Sequence, residues 1–167
     1  KMKFIKKIIA ILILSCPSVA YAESSTGSKW SIYTGMFDFS DDGKKSNLFG
    51  VQYINENLYK KTSFGTLQSV TGLFFTADDA VYVYTGFQIP YKSGSITFTP
   101  SFTPGIYDKG DGKDLGHTIE FKTELQISVD ISKNSQLGVS YNHISNASLG
   151  EKNPGANSYM FNFIKKF

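Results

Sequence analysis

The chain has 167 residues, 41% of them apolar, with 14 Phe, 10 Tyr and a formal net charge of +3. That charge sits at the N-terminus: Lys1, Lys3, Lys6 and Lys7 belong to the 17 cationic residues, and without them the remainder falls one short of the 14 acids. A near-neutral body of single-domain length gives a nucleic acid little to bind. The single cysteine, Cys16, precludes an intrachain disulfide, and with only two histidines a transition-metal site has too few ligands.

The four lysines precede an apolar run from Ile8 to Leu14 and then the small-residue site Ala20-Tyr21-Ala22. That order is a secretory signal peptide, with cleavage expected after Ala22. Residues 1–22 are therefore read as the signal and 23–167 as the exported domain. The apolar run is far short of the ~20 residues of a membrane-spanning helix. Cys16 falls inside the signal; lipidation there is the alternative, but Ile13-Leu14-Ser15 before it matches a lipoprotein signal poorly.

From Lys29 onward the dominant period is two, which predicts strands and no helix. Turn signals lie at 41–44, 55–57, 76–79, 90–94, 108–113, 132–135 and 146–156, and they divide the chain into eight strands. These are expected near 29–40, 45–55, 62–75, 79–89, 94–107, 114–131, 136–145 and 157–167. In the sixth, Leu115, Ile119, Phe121, Leu125, Ile127 and Val129 share one face. Thr118, Glu120, Lys122, Glu124, Gln126 and Ser128 share the other. In a soluble sandwich the apolar face would meet a second sheet; in an outer-membrane barrel it would meet lipid, and the polar face would fill the interior. Tyr159, Phe161, Phe163 and Phe167 alternate along the last strand. An aromatic final strand ending in Phe resembles the C-terminal signature of outer-membrane barrels. The expected fold is an all-β, eight-stranded antiparallel transmembrane β-barrel, whose interior side chains can fill without leaving a wide pore.

The candidate chemistry lies at the seventh turn. His143 and Ser145 are two apart on a strand, hence on one face, where an imidazole can reach the hydroxyl: a base beside a nucleophile. Their face is that of Leu137, Val139 and Tyr141, so the pair points out toward lipid. Asn157 shares its face with Tyr159 and Phe161, and a hairpin would bring it to the same outer surface. With both termini periplasmic, that surface touches the outer leaflet, where lipopolysaccharide resides. The bland reading is a polar pair at the membrane rim, which needs no function. Asp108, Asp111 and Asp114 suggest calcium only weakly, since Lys109 and Lys113 oppose a cation. Lys109, Lys113 and Lys152 are candidate phosphate contacts. Glu120, Lys122 and Glu124 are expected to form a polar network inside the barrel, and His117 to be a strand-end residue.

His143-Ile144-Ser145-Asn146-Ala147, followed by Asn153-Pro154-Gly155 and a short aromatic strand, resembles the lipid A 3-O-deacylase (PagL) family of acyloxyacyl-hydrolase-like barrels. Asp114 to Phe121 resembles that family's sixth strand. The resemblance implies a serine esterase on the lipid-facing wall that removes the ester-linked 3-position acyl chain of lipid A, with lipopolysaccharide as partner and no cofactor or metal. It makes Ser145 the nucleophile and His143 the general base. Asn146 would stabilise the oxyanion together with backbone N–H groups of the following turn. The family pattern has Glu where this chain has Asn157; an amide oxygen can still fix the imidazole tautomer but supplies no charge. Glu151, in the loop, is the alternative partner. The rival functions are a non-catalytic small outer-membrane barrel with a structural or adhesive role, and a soluble periplasmic lipid-binding sandwich.

Overall fold

The computed structural model describes residues 27–63 and 65–167. The segment 1–22 expected to be a signal peptide, with Cys16, lies outside the described residues. Among the described residues nine strands follow one another without a helix: β1 (Ser28–Phe37), β2 (Ser46–Thr62), β3 (Gly65–Thr76), β4 (Val81–Gln88), β5 (Tyr91–Ser93), β6 (Ile96–Asp108), β7 (Ile119–Ser132), β8 (Ser135–Ser145) and β9 (Ala156–Lys166). Apart from β4 and β5, which do not pair with each other, chain neighbours pair antiparallel; β1 pairs with β9, and β4 and β5 both pair with β6. β4 and β5 are thus one barrel strand interrupted at Ile89-Pro90, where proline cannot donate to the ladder. The result is a closed eight-stranded antiparallel barrel with no free edge.

Alternation sorts the side chains. In β7, Glu120, Lys122, Glu124, Gln126 and Ser128 are buried, while Ile119, Leu125, Ile127 and Val129 are exposed. Exposed Ile32, Phe49, Phe75, Ile106, Val139 and Phe161 continue the apolar wall around the barrel. In water such a surface would drive aggregation; in hydrocarbon it is the outward band of a transmembrane barrel. The lumen is filled. Phe37, Phe74, Tyr82 and Tyr84 stack through it at centroid distances of 5.4–5.8 Å. Their hydroxyls find partners, Tyr82 on the carbonyls of Thr103 and Glu120 and Tyr84 on Gln52.

Four expectations are corrected. Asn55-Glu56-Asn57 is not a turn: β2 runs on to Thr62, with its register shifted between Asn55 and Lys60, so a bulge absorbs the turn-forming residues. Tyr91–Ser93 belongs to the strand before the turn, and the reversal falls on Gly94-Ser95. The sixth barrel strand begins at Ile119, not at 114, and Leu115 is buried beneath the loops instead of facing outward. Lys122 and Glu124 pair in the lumen at 2.8 Å, but Glu120, fully buried, stands outside that pair.

Candidate active site

β8 ends on Ser145 and β9 starts at Ala156, so residues 146–155 form one connection at the loop end of the barrel. Register sets the site. His143 lies directly opposite Asn157 on β9, with Thr123 opposite it on β7, and Ser145 lies opposite Phe121. All three polar residues are half-buried on the outward face.

The Asn157 side chain is tied at both ends. Its Oδ1 accepts His143 Nδ1–H at 2.8 Å and the Tyr141 hydroxyl, also at 2.8 Å. Its Nδ2 donates to Ser40 Oγ at 3.1 Å. The backbone is held too: Asn157 N–H donates to Asp38 Oδ1 at 3.4 Å, and Phe39 N–H donates to the Asn157 carbonyl at 3.0 Å. With Nδ1 carrying the proton, Nε2 keeps its lone pair. That edge of the ring abuts Gly155, where an added Cβ would fall 2.8 Å from Cε1 and 3.3 Å from Nε2. Among the described residues no hydrogen bond joins the Ser145 hydroxyl to the ring. Such contacts in resting enzymes commonly close only with substrate.

The turn after Ser145 is strained. Ala147 and Ser148 have φ of 52° and 64°, and Leu149 N–H closes the turn on the Asn146 carbonyl at 3.0 Å. This is a type I′ geometry, made here by two non-glycine residues at a cost of about 1–3 kcal/mol each. The closing bond leaves the N–H groups of Ala147 and Ser148 outside the turn's own bonding. Asn146 itself is completely buried, and its Nδ2 donates to the carbonyls of Leu115 and Lys152, both at 2.8 Å. Its side-chain donors therefore hold the loop. Its backbone N–H donates to Asn153 Oδ1 at 3.0 Å.

A neighbouring loop, 109–118, clasps this one. Asp114 Oδ2 accepts from Lys152 at 3.1 Å and Lys109 at 3.2 Å, and its Oδ1 accepts Gly116 N–H at 2.9 Å. These bonds, led by the Gly116 N–H, lower the Asp114 pKa to about 2. Gly116, at φ +94°, lets the two backbones touch: a Cβ there would fall 2.2 Å from the Lys152 carbonyl. Lys113 pairs with buried Asp38 at 2.6 Å and with Asp41 at 3.4 Å. The three lysines read as candidate phosphate contacts are thus already paired with acids. Glu151 is exposed in the loop, and no contact ties it to His143. His117 is a half-buried loop residue whose Nδ1 lies 3.0 Å from the Ile119 nitrogen and 3.2 Å from the Ile119 carbonyl oxygen. No group of three or more His, Cys, Asp or Glu is arranged for a metal among the described residues.

The sequence brings His143, Ser145 and Asn157 to attention, and Gly155 as part of a motif without a role, but not Ser40 or Asp38. Tyr141 was visible only as a residue sharing the face. Ser40 and Asp38 arrive from the opposite end of the chain through the β1–β9 seam, and no local pattern marks them. Lower on the same wall an apolar groove of about 650 Å³ is lined by Ile32, Phe49, Ile127, Leu137, Val139 and Phe161.

The sequence pattern of the lipid A 3-O-deacylase (PagL) family matches residues 26–165. No curated protein sequence matches the chain. Among solved structures, the outer-membrane enzyme PagL is 17% identical, with a TM-score of 0.63 over 83% of this chain and 99% of that one. A de novo designed transmembrane β-barrel is 16% identical, with a TM-score of 0.55 over 87% and 100%. Neisserial surface protein A is 12% identical, with a TM-score of 0.50 over 84% and 96%. At these identities the structures attest the fold alone.

Proposed function

The chain belongs to the lipid A 3-O-deacylase (PagL) family of outer-membrane ester hydrolases, and from that premise we propose that it is a serine esterase removing the 3-position acyl chain of lipid A. The observation that carries this reading is the His143 ring on the lipid-facing wall. Asn157 holds its Nδ1–H, and its Nε2 edge is turned to the loop that follows Ser145.

The steps follow from the atoms present. Ser145 Oγ attacks the ester carbonyl as its proton passes to His143 Nε2. The carbonyl oxygen gains negative charge and is received by N–H groups of the Ala147-Ser148 turn, which Asn146 and Asn153 hold in place. The C–O bond to the sugar then breaks, and His143 returns the proton to the departing sugar hydroxyl. Water, deprotonated by the same nitrogen, releases the fatty acid and regenerates Ser145. Asn157 keeps the ring in the reactive tautomer throughout. An acyl chain anchored at Ser145 runs down the apolar wall toward the groove below, so the reaction needs no cavity within the barrel.

The test is mass spectrometry of lipid A after exposure to the purified protein in detergent. Loss of one ester-linked 3-hydroxy acyl chain is expected. Ser145→Ala and His143→Ala should each abolish it by roughly three orders of magnitude or more, and the double variant should be little worse, because members of one catalytic unit are not additive. Near-normal hydrolysis by folded Ser145→Ala would refute the mechanism.

A further inference from the structure

We propose that Tyr141 is a positioning residue of this site: its hydroxyl fixes which way the Asn157 amide faces, and through it which nitrogen of His143 is the base. The proposal rests on the reading of His143 and Ser145 as base and nucleophile.

A carboxylate at position 157 would present an oxygen to the imidazole whichever way it turned. An amide does not. Rotated by half a turn, Asn157 would offer Nδ2–H to His143 Nδ1. Nδ1 would then have to accept, the ring proton would move to Nε2, and the lone pair facing the Ser145 loop would be lost. A chain with asparagine in the orienting position therefore needs something to choose between the two faces of the amide.

Two hydroxyls contact that amide, and they differ in kind. The Tyr141 hydroxyl lies 2.8 Å from Oδ1, and Ser40 Oγ lies 3.1 Å from Nδ2. A phenol donates strongly and accepts weakly, because the ring withdraws its lone-pair density. An alkyl hydroxyl accepts as readily as it donates. Ser40 alone would tolerate either face, whereas Tyr141 favours the face that turns Oδ1 toward it. His143 Nδ1 shares that same oxygen at 2.8 Å. Satisfying Tyr141 therefore puts the proton on Nδ1 and leaves Nε2 free.

Tyr141 is well placed to hold this role. It lies two residues before His143 on β8 and opposite Tyr159 on β9, on the outward face. The Phe39 ring packs against both at 6.2 and 5.5 Å. Phe39 and Ser40 are delivered there by Asp38, which sits completely buried at φ 50° and pairs with Lys113.

Tyr141→Phe keeps the ring and its packing and removes only the hydroxyl. It should lower kcat by on the order of tenfold or more, with KM little changed, because the substrate surface is intact while part of the population holds the wrong tautomer. The decisive comparison repeats the change in an Asn157→Asp background. A carboxylate has no wrong face, so there Tyr141→Phe should cost little. An equal loss in both backgrounds, or no loss in the parent, overturns the proposal.

Nitrogen-15 spectra of the imidazoles in detergent give a readout independent of rate. The chain has only two histidines. His143 should show the Nδ1–H tautomer. Tyr141→Phe should add an Nε2–H population at His143. If Asn157→Asp proves inactive, or Tyr141→Phe does not fold, these spectra decide: Nε2–H in the parent protein, or an unchanged Nδ1–H signal in folded Tyr141→Phe, overturns the proposal. Activity in Ser145→Ala would instead refute the esterase assignment and leave the tautomer result standing.

Discussion

A methyl group at residue 155 would land 2.8 Å from His143 Cε1, closer than a side chain tolerates, and would press on the edge of the ring that carries Nε2, the proposed base. Gly155 also has φ +62°, where any other residue adds strain. Gly155→Ala should therefore displace the ring and lower the deacylation rate by about a hundredfold, as small misplacements of a catalytic group do. The barrel should still assemble, since the change lies in a loop. Rates and heat-modifiable gel migration on one preparation test both halves; full activity would show that the ring has room to move. At this scale the sequence spoke through parity. His143, Ser145 and Asn157 were legible as an outward-facing set because strand period two and one hairpin suffice to place them. The employment of Asn146 was not. Its motif position suggested an oxyanion donor, but its donors are spent on Leu115 and Lys152, and the first of these contacts crosses to another loop. Glu151 shows the converse: its charge suited the missing carboxylate, but its place in the loop does not bring it to the ring.

The elements that carry the site are two loops locked together at the barrel's end. Asp114 is the fastening, joined to Lys152 of the site loop and Lys109 of its own. Its pKa of about 2 lies below the ordinary aspartate value. A depressed carboxyl pKa contributes stability that is complete above the unfolded value and is lost as pH falls through the folded one. The clasp should therefore persist through mildly acidic conditions and open only between roughly pH 4 and pH 2. Hydrogen exchange of residues 146–155 should stay constant from pH 7 to pH 5, after correction for the intrinsic rate, and rise at any pH in Asp114→Asn. Protection lost in the parent by pH 5 would contradict this. The loops were also where sequence reading erred. Asn55-Glu56-Asn57 has turn-forming composition, yet pairing of Lys60–Thr62 with Gly65–Leu67 outweighs it, and the chain takes a bulge. Leu115 matched the strand's parity by coincidence, because loop 109–118 continues to residue 118 before the alternation begins.

For the whole molecule, eight strands were legible from turn spacing and alternation, because closure asks only that each strand be apolar on one face. What fills the lumen was not legible in detail, since inward residues from different strands meet only after closure. Lys122 shows the consequence. Its ammonium is buried 2.8 Å from Glu124 and 4.1 Å from the centre of the Tyr84 ring, which comes from β4, two strands away around the barrel. A buried pair adds little net stability, yet removing one member strands the other charge without water, at a cost of about 3–5 kcal/mol. Lys122→Met should accordingly lower the temperature at which the compact gel band converts to the unfolded one. Adding Glu124→Leu removes the stranded carboxylate and should restore most or all of the loss. Neither variant should change the deacylation rate of the folded fraction, because both side chains lie inside the barrel while Ser145 and His143 lie on its outer wall. On the proposed mechanism, stability and catalysis then lie on opposite faces of the same sheet. If the double variant melts as low as the single one, the pair is there for shape instead of charge; if deacylation falls in step with stability, the two faces are coupled through the strands and the separation fails.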